Sequence, residues 1–212
     1  MDKELVIKKI EELESYFSSK QAKQAIKVLK SELNLSSAKK KKVSSAVAKE
    51  FVLPKEVVGN QMAFALFTDG ACRGNPGPGS FAYMIQSGVD GSLLYEAAQV
   101  SSLTTNNKME LKAIIEGLKY LSEHYTPMHQ IFVYTDSKYA VDGIKSWVRG
   151  WKKRGWKKAD KKSPENLELW QQLDHLNENL NVSFHWVKAH AGHPQNEYVD
   201  GMANEVLDKN GY

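Results

Sequence analysis

Four carboxylates stand where a carboxylate is costly, and their surroundings suggest that they act together. Asp69 closes an apolar run that begins at Met62, after which the chain breaks into glycines and prolines over residues 70–79. A run of that length ended by turn residues reads as a buried strand followed by a tight loop with accessible backbone. Asp136 repeats the arrangement, with Tyr134-Thr135-Asp136-Ser137 matching Phe67-Thr68-Asp69-Gly70. If the two strands are neighbours, both acids sit at the same strand ends, where ligand sites of open sheets lie. Glu110 falls in the first turns of a helix, and Asp200 lies on the last helix, beyond Lys188-Ala189-His190-Ala191-Gly192-His193-Pro194. Burying an unpaired carboxylate is unfavourable, and four without matching cations cannot all stay ionised. A divalent cation resolves that conflict, and ligation by oxygen alone favours Mg²⁺ or Mn²⁺ over Zn²⁺. Each acid alone has a plainer role. Asp69 and Asp136 can cap turns, Glu110 suits the positive end of its helix, and Asp200 can be an exposed helix residue.

The elements that must position these acids are legible as a change of rhythm. Met62–Thr68, Ser80–Gln86 and Ser92–Ser101 read as strands, and Val89-Asp90-Gly91-Ser92 as a hairpin turn between the second and third. Thr104 or Thr105 can cap a helix to about Glu123, with Leu111, Ile114, Ile115 and Leu118 as its buried stripe. Ile131–Tyr134 is a further strand, and Ser137 can open the next helix. Residues 147–162 are basic and aromatic without a clear period. Pro164–Asn177 reads as a helix, Val182–Val187 as a strand, and Pro194 starts a final helix to about Leu207. A meander of strands followed by strand–helix alternation predicts an α/β fold, a mixed sheet with helices on its faces. Residues 1–60 read differently. Leu5, Ile7, Ile10, Leu13, Tyr16 and Phe17 recur at helical spacing, as do Ala25, Ile26, Val28, Leu29 and Leu33, and a third helix fits from Ser36-Ser37 to about Phe51. We expect a small helical N-terminal segment, a connector from Pro54 to Gln61, and a catalytic domain over 61–212.

Composition narrows the class. The 212 residues are 42% apolar and 25% charged, ordinary for a soluble globular protein. One cysteine, Cys72, excludes an internal disulfide framework and suits a reducing compartment. The N-terminus lacks the build of a signal peptide, and no stretch reaches the ~18 apolar residues that span a membrane. A cytoplasmic protein with no membrane partner is expected, acting as a monomer. The net charge of +4 is unevenly spread: residues 145–162 carry nine Lys/Arg against the single acid Asp160, and residues 1–60 carry thirteen lysines against eight acids. The remainder is acidic. A basic arm beside an acid cluster fits a polyanion held near a metal site, although such a run can also be a solvated face.

The strings TDGACRGNPGPG (68–79), TTNNKMELKA (104–113), YTDSKYA (134–140) and WVKAHAGHPQNEYVDGMA (186–203), in this order and spacing, resemble the type 1 ribonuclease H family. WVRGWKKRGWKKADKKSPENLELW (147–170) resembles that family's substrate-binding protrusion. The resemblance covers residues 62 to about 208. It implies a five-stranded mixed sheet with flanking helices. It also implies metal-assisted endonucleolytic cleavage of the RNA strand in RNA–DNA hybrids, leaving 5′-phosphate and 3′-hydroxyl ends. Asp69, Glu110, Asp136 and Asp200 would be the catalytic, metal-holding carboxylates, with His190 as a mobile catalytic histidine. Two cations ~3.5–4 Å apart can clamp an in-line displacement, one activating water and the other steadying the leaving oxygen. Histidine as a type titrates near neutrality, which suits a proton relay. His193, just before Pro194, reads as structural in the same loop.

Telling RNA from DNA requires contact with 2′-hydroxyl groups. Asn75, Asn106 and Asn107 suit that task as donors and acceptors, and backbone around Cys72 and Gly74 can approach closely. Asn75 can equally be a turn residue before Pro76. Thr105 can be a helix cap, a DNA-phosphate ligand, or both, and Arg73 is expected near a phosphate. Lys152, Lys153, Arg154 and Lys157 would neutralise phosphates without reading sequence. Trp147 and Trp151 can stack on the hybrid or pack the protrusion against its base, and Trp156 reads as packing. Asn166 resembles a family position that holds a DNA phosphate. Trp170 and Trp186 read as core, and His185 as an ordinary residue. Two departures stand out: Lys138, where several relatives carry glutamine, and Ala189, which replaces a common glycine. Residues 1–60 do not resemble the hybrid-binding domain that precedes some members. The Lys39–Lys42 run allows nucleic-acid binding, with a tether, protein docking or a simple stabilising helix as alternatives. For the whole chain, a silent hybrid-binding module and another nuclease or DNA-strand-transfer enzyme of the same fold are the rival readings.

Overall fold

The computed structural model describes residues 51–212, so the small helical segment expected before residue 51, and the Lys39–Lys42 run, lie outside the described residues. The chain forms two compact units. Phe51–Tyr120 with Pro127–Tyr212 make one, and the described residues of the other are Leu121–Thr126. In those six residues the Tyr125 N–H donates to the Leu121 carbonyl.

Five strands form one mixed sheet in the order β3-β2-β1-β4-β5. β1 (Ala63–Cys72), β2 (Gly77–Ser87) and β3 (Leu93–Thr104) are an antiparallel meander. β4 (Gln130–Thr135) and β5 (Asn181–Trp186) add in parallel, as the alternation of strands and helices predicted. The hairpin turn closes through Asp90, whose carboxylate accepts from the Ser92 N–H, and Gly91 takes the positive φ of 73° that the turn needs. Strands run up to four residues longer than the apolar runs suggested, because backbone pairing continues past the last core side chain.

Both faces of the sheet are covered, which is why β1 and β4 are apolar almost throughout. On one face lies α1 (Asn106–His124), packed so closely that a Cβ on Gly117 would stand 2.5 Å from Leu66. On the other, Ala65, Phe67, Ala82, Met84, Phe132 and Tyr134 meet Val199 and Ala203 of α5 (Pro194–Lys209). The expected connector belongs to this second layer. Val57 is fully buried in it, and Phe51 and Leu53 pack against it. The compact unit thus begins at Phe51, and residues 51–60 form a strap across the sheet.

The stretch after β4 has no single period because it has no single helix. α2 (Lys138–Asp142), capped by the Ser137 hydroxyl, passes into a π-helical turn, Gly143–Trp147, and then α3 (Val148–Lys153). Gly143 is required here, since a Cβ would lie 2.0 Å from the Trp170 ring. Trp170 is fully buried in α4 (Leu167–Asn179), and Tyr139, Trp147 and Trp151 pack around it. Trp186, by contrast, is 44% exposed and not core. It ends an edge strand, where its ring carries the Lys138 ammonium 4.8 Å from the centroid.

Candidate active site

The parallel pairing of β1 and β4 sets Thr68 opposite Thr135, so Asp69 and Asp136 emerge side by side. Glu110 reaches them because Gly70 lets α1 approach: a Cβ there would stand 2.3 Å from the Glu110 nitrogen. Asp69, Glu110 and Asp136 each offer an oxygen, all within 4.8 Å of one another. α5 brings Asp200 to the same pocket, an opening of about 310 Å³ also lined by Cys72, Arg73, Asn106, His190 and Asn204. His190 sits on the exposed rim in a left-handed conformation, φ 49°.

Burial and the neighbouring charges of Asp136 and Asp200 push the Asp69 carboxyl up to about 7. Burial, then Asp69 and Asp136, hold Glu110 well above the usual carboxylate range. Crowding acids in this way opposes folding unless a cation relieves it. The arrangement fits a divalent metal: its donors are all carboxylate oxygens, and Glu110 Oε2 is buried with no partner among the described residues. Arg73, the one lysine or arginine lining the pocket, is tied to Asp208 and the Tyr212 carbonyl, away from the cluster.

Amides hold three of the four acids. Asn106 Nδ2 donates to Glu110 at 3.2 Å, Asn196 Nδ2 to Asp136 at 3.2 Å, and Asn204 Nδ2 to Asp200 at 2.8 Å. Sequence reasoning singled out Asn106 but missed Asn196 and Asn204. The signal was present only as amides inside and just past the last motif, and an asparagine on a helix has many uses.

The other expected contact residues divide into groups. Asn75, Thr105, Asn107 and Asn166 line a neighbouring open pocket of about 680 Å³. Asn75 also serves as a cap, its Oδ1 accepting from the Asn106 N–H at 3.3 Å. Thr105 serves likewise through its carbonyl, which accepts from Lys108 and Met109. Asn166 Nδ2 donates to the Tyr139 hydroxyl, which also accepts from Trp170 Nε1. The Cys72 thiol donates to the Gly74 carbonyl, and Gly74 has the positive φ of 79° that the loop needs. Lys152 is engaged by Asp174 and Glu178, whereas Lys153, Arg154 and Lys157 are exposed. His193 precedes α5 as its N-cap residue without a side-chain capping bond.

A five-stranded mixed sheet with a carboxylate cluster at adjacent parallel strand ends defines a nuclease-like α/β fold with a metal-type acidic site. The RNase H family profile matches residues 61–208, and the chain belongs to that family. It is 45% identical over 143 residues to the ribonuclease H of Rhizobium meliloti (strain 1021), covering 68% of this chain and 89% of that one. It is 48% identical to the ribonuclease H of Erythrobacter litoralis (strain HTCC2594), covering 68% and 94%. Among solved structures, LC9-RNase H1, described as a type 1 RNase H with the type 2 active-site motif, superposes with a TM-score of 0.63. Its identity is 31%, with 74% and 75% of the two chains covered. LC11-RNase H1 in complex with an RNA/DNA hybrid gives 0.54 at 25% identity, covering 69% of this chain and 98% of that one.

Proposed function

We propose that this chain is a metal-dependent endoribonuclease that hydrolyses the RNA strand of RNA–DNA hybrids, leaving 5′-phosphate and 3′-hydroxyl ends. The observation that carries this reading is the convergence of Asp69, Glu110 and Asp136 within 4.8 Å, from two strands and a helix. Family membership and the hybrid bound by LC11-RNase H1 support the choice of substrate. Asp69, Glu110, Asp136 and Asp200 would hold the cations, Mg²⁺ by our assignment with Mn²⁺ as a substitute. When bound, such ions lower the pKa of an attacking water and stabilise the leaving 3′ oxygen.

The chain's own residues do the remainder. Asn106 spends one amide proton on Glu110 and keeps a second proton and its carbonyl for a ribose hydroxyl. Asn75 and Asn107, with the backbone of Cys72 and Gly74, complete a surface able to sense the 2′-OH of one strand. Thr105 and Asn166, across the adjoining pocket, suit a phosphate of the DNA strand. Lys153, Arg154 and Lys157 neutralise phosphates further along, while Trp147 and Trp151 stiffen the arm that carries them. A ring nitrogen of His190, on the exposed rim, passes a proton to the leaving oxygen. We assign a monomer and place it in the cytoplasm. The test is cleavage of a strand-labelled hybrid in Mg²⁺, beside DNA and RNA duplexes and an Asp69→Asn variant. Cutting of the hybrid's RNA strand alone, lost in the variant, is expected. Tight hybrid binding without cutting in Mg²⁺ or Mn²⁺ would refute it.

A further inference from the structure

The strap of residues 51–60 lies outside the family match, yet it grips the structure on both sides of one catalytic acid. Its Val52 carbonyl accepts from Gln195 Nε2 at 2.7 Å, and that nitrogen is also 3.2 Å from Gln86 Oε1. Its Glu56 carboxylate accepts from the Tyr134 hydroxyl at 2.9 Å and lies 3.7 Å from His185 Nδ1. Tyr134 precedes Asp136 by two residues on β4. Gln195 precedes Asn196, whose Nδ2 donates to Asp136 Oδ2.

Asn196 is oriented for that acid at a cost. It is 3% exposed, and its Oδ1 is buried with no partner among the described residues. A carboxylate opposite the amide fixes which end faces it, since two oxygens would repel. Leaving the other end unsatisfied is unfavourable, and local packing alone does not reward it. The start of α5 also lacks a usual restraint, because His193 gives no side-chain cap. Helix ends without caps fray. The bond from Gln195 to Val52 ties this first turn to the strap, as Glu197 ties it to the Gly192 N–H.

We propose that Asn196 is a positioning residue for Asp136, and that the strap, acting through Gln195, fixes where Asn196 stands. This rests on the metal-dependent function above and assigns to residues outside the family match a part in setting its metal affinity. The experiment uses the full chain with Asn196→Ala, Asn196→Ser and Gln195→Ala, following melting temperature, calorimetric Mn²⁺ affinity without substrate, and kcat and KM on a hybrid. Asn196→Ala is expected to lower Mn²⁺ affinity and kcat by about tenfold or more, with KM for the hybrid within about twofold. Asn196→Ser, which keeps a donor, recovers part of both, and Gln195→Ala shifts them the same way by less. If Asn196→Ala fails to fold, the other two variants carry the test. Wild-type Mn²⁺ affinity and kcat in Asn196→Ala would overturn the assignment. So would a Gln195→Ala variant that melts earlier yet binds Mn²⁺ like the parent. A parent chain that binds Mn²⁺ but does not cut hybrid would instead overturn the proposed function.

Discussion

At the scale of single residues, Asp69 sets a conflict between stability and activity. Its carboxyl is pushed up to about 7 by burial and by Asp136 and Asp200, against about 3.9 in an unfolded chain. Between those values the folded state holds a proton that the unfolded chain releases, so stability falls as pH rises from about 4 to 7. Metal-free protein should melt progressively earlier across that window, and Mg²⁺ should remove most of the slope; thermal melts in chelator and in Mg²⁺ check this. Asp69→Asn should abolish cleavage while stabilising the metal-free fold by about 1–3 kcal/mol, read from denaturant unfolding. A variant less stable than its parent would contradict that account of the site. The acids were legible in the sequence because each stands in a string with its own grammar, strand then turn or loop then helix. Asn196, Asn204 and the exposure of Trp186 were not. Asn196 and Trp186 depend on which distant neighbour a side chain meets, which no local spacing encodes, whereas Asn204 stands one helical turn after Asp200, a spacing that many unrelated pairs share.

At the scale of elements, the strap changes where this unit can be cut. Val57 is wholly buried, and burying a valine is worth about 1.5–2 kcal/mol, so removing residues 1–58 takes away part of the core. A chain beginning at Phe51 should keep the parent's melting temperature for this unit, whereas one beginning at Gly59 should lose several degrees; calorimetry of the two separates them. Any test of the N-terminal segment in hybrid binding should therefore cut before Phe51. The contact of β1 with α1 at Gly70 allows as little freedom. Gly70→Ala must displace the helix that carries Glu110, so cleavage should fall by at least about a hundredfold in a chain that still folds. The sequence foretold the strands and long helices to within a few residues, since each spans several repeats of its period. It left 147–162 without an assignment because Lys138–Lys153 changes helical type twice within sixteen residues.

At the scale of the whole molecule, charge and topology divide the labour. The basic arm should govern how hybrid affinity depends on salt. Replacing Lys153, Arg154 and Lys157 together by alanine should flatten the plot of log affinity against log salt by about two to three units, measured by fluorescence anisotropy. Lys152→Ala should change it less, because Asp174 and Glu178 already neutralise that ammonium. The seam between β1 and β4 has a different consequence. The meander of β1, β2 and β3 joins residues near in sequence, and such pairings close early at small entropic cost. Asp69 and Asp136 meet only when the parallel seam closes across the long crossover through α1. The metal site is then absent from any partly folded chain that lacks this seam, and a cation binds only after this non-local pairing is complete. Divalent ions would act on this protein as a latch on the way out of the native state, lengthening its lifetime without hastening its birth.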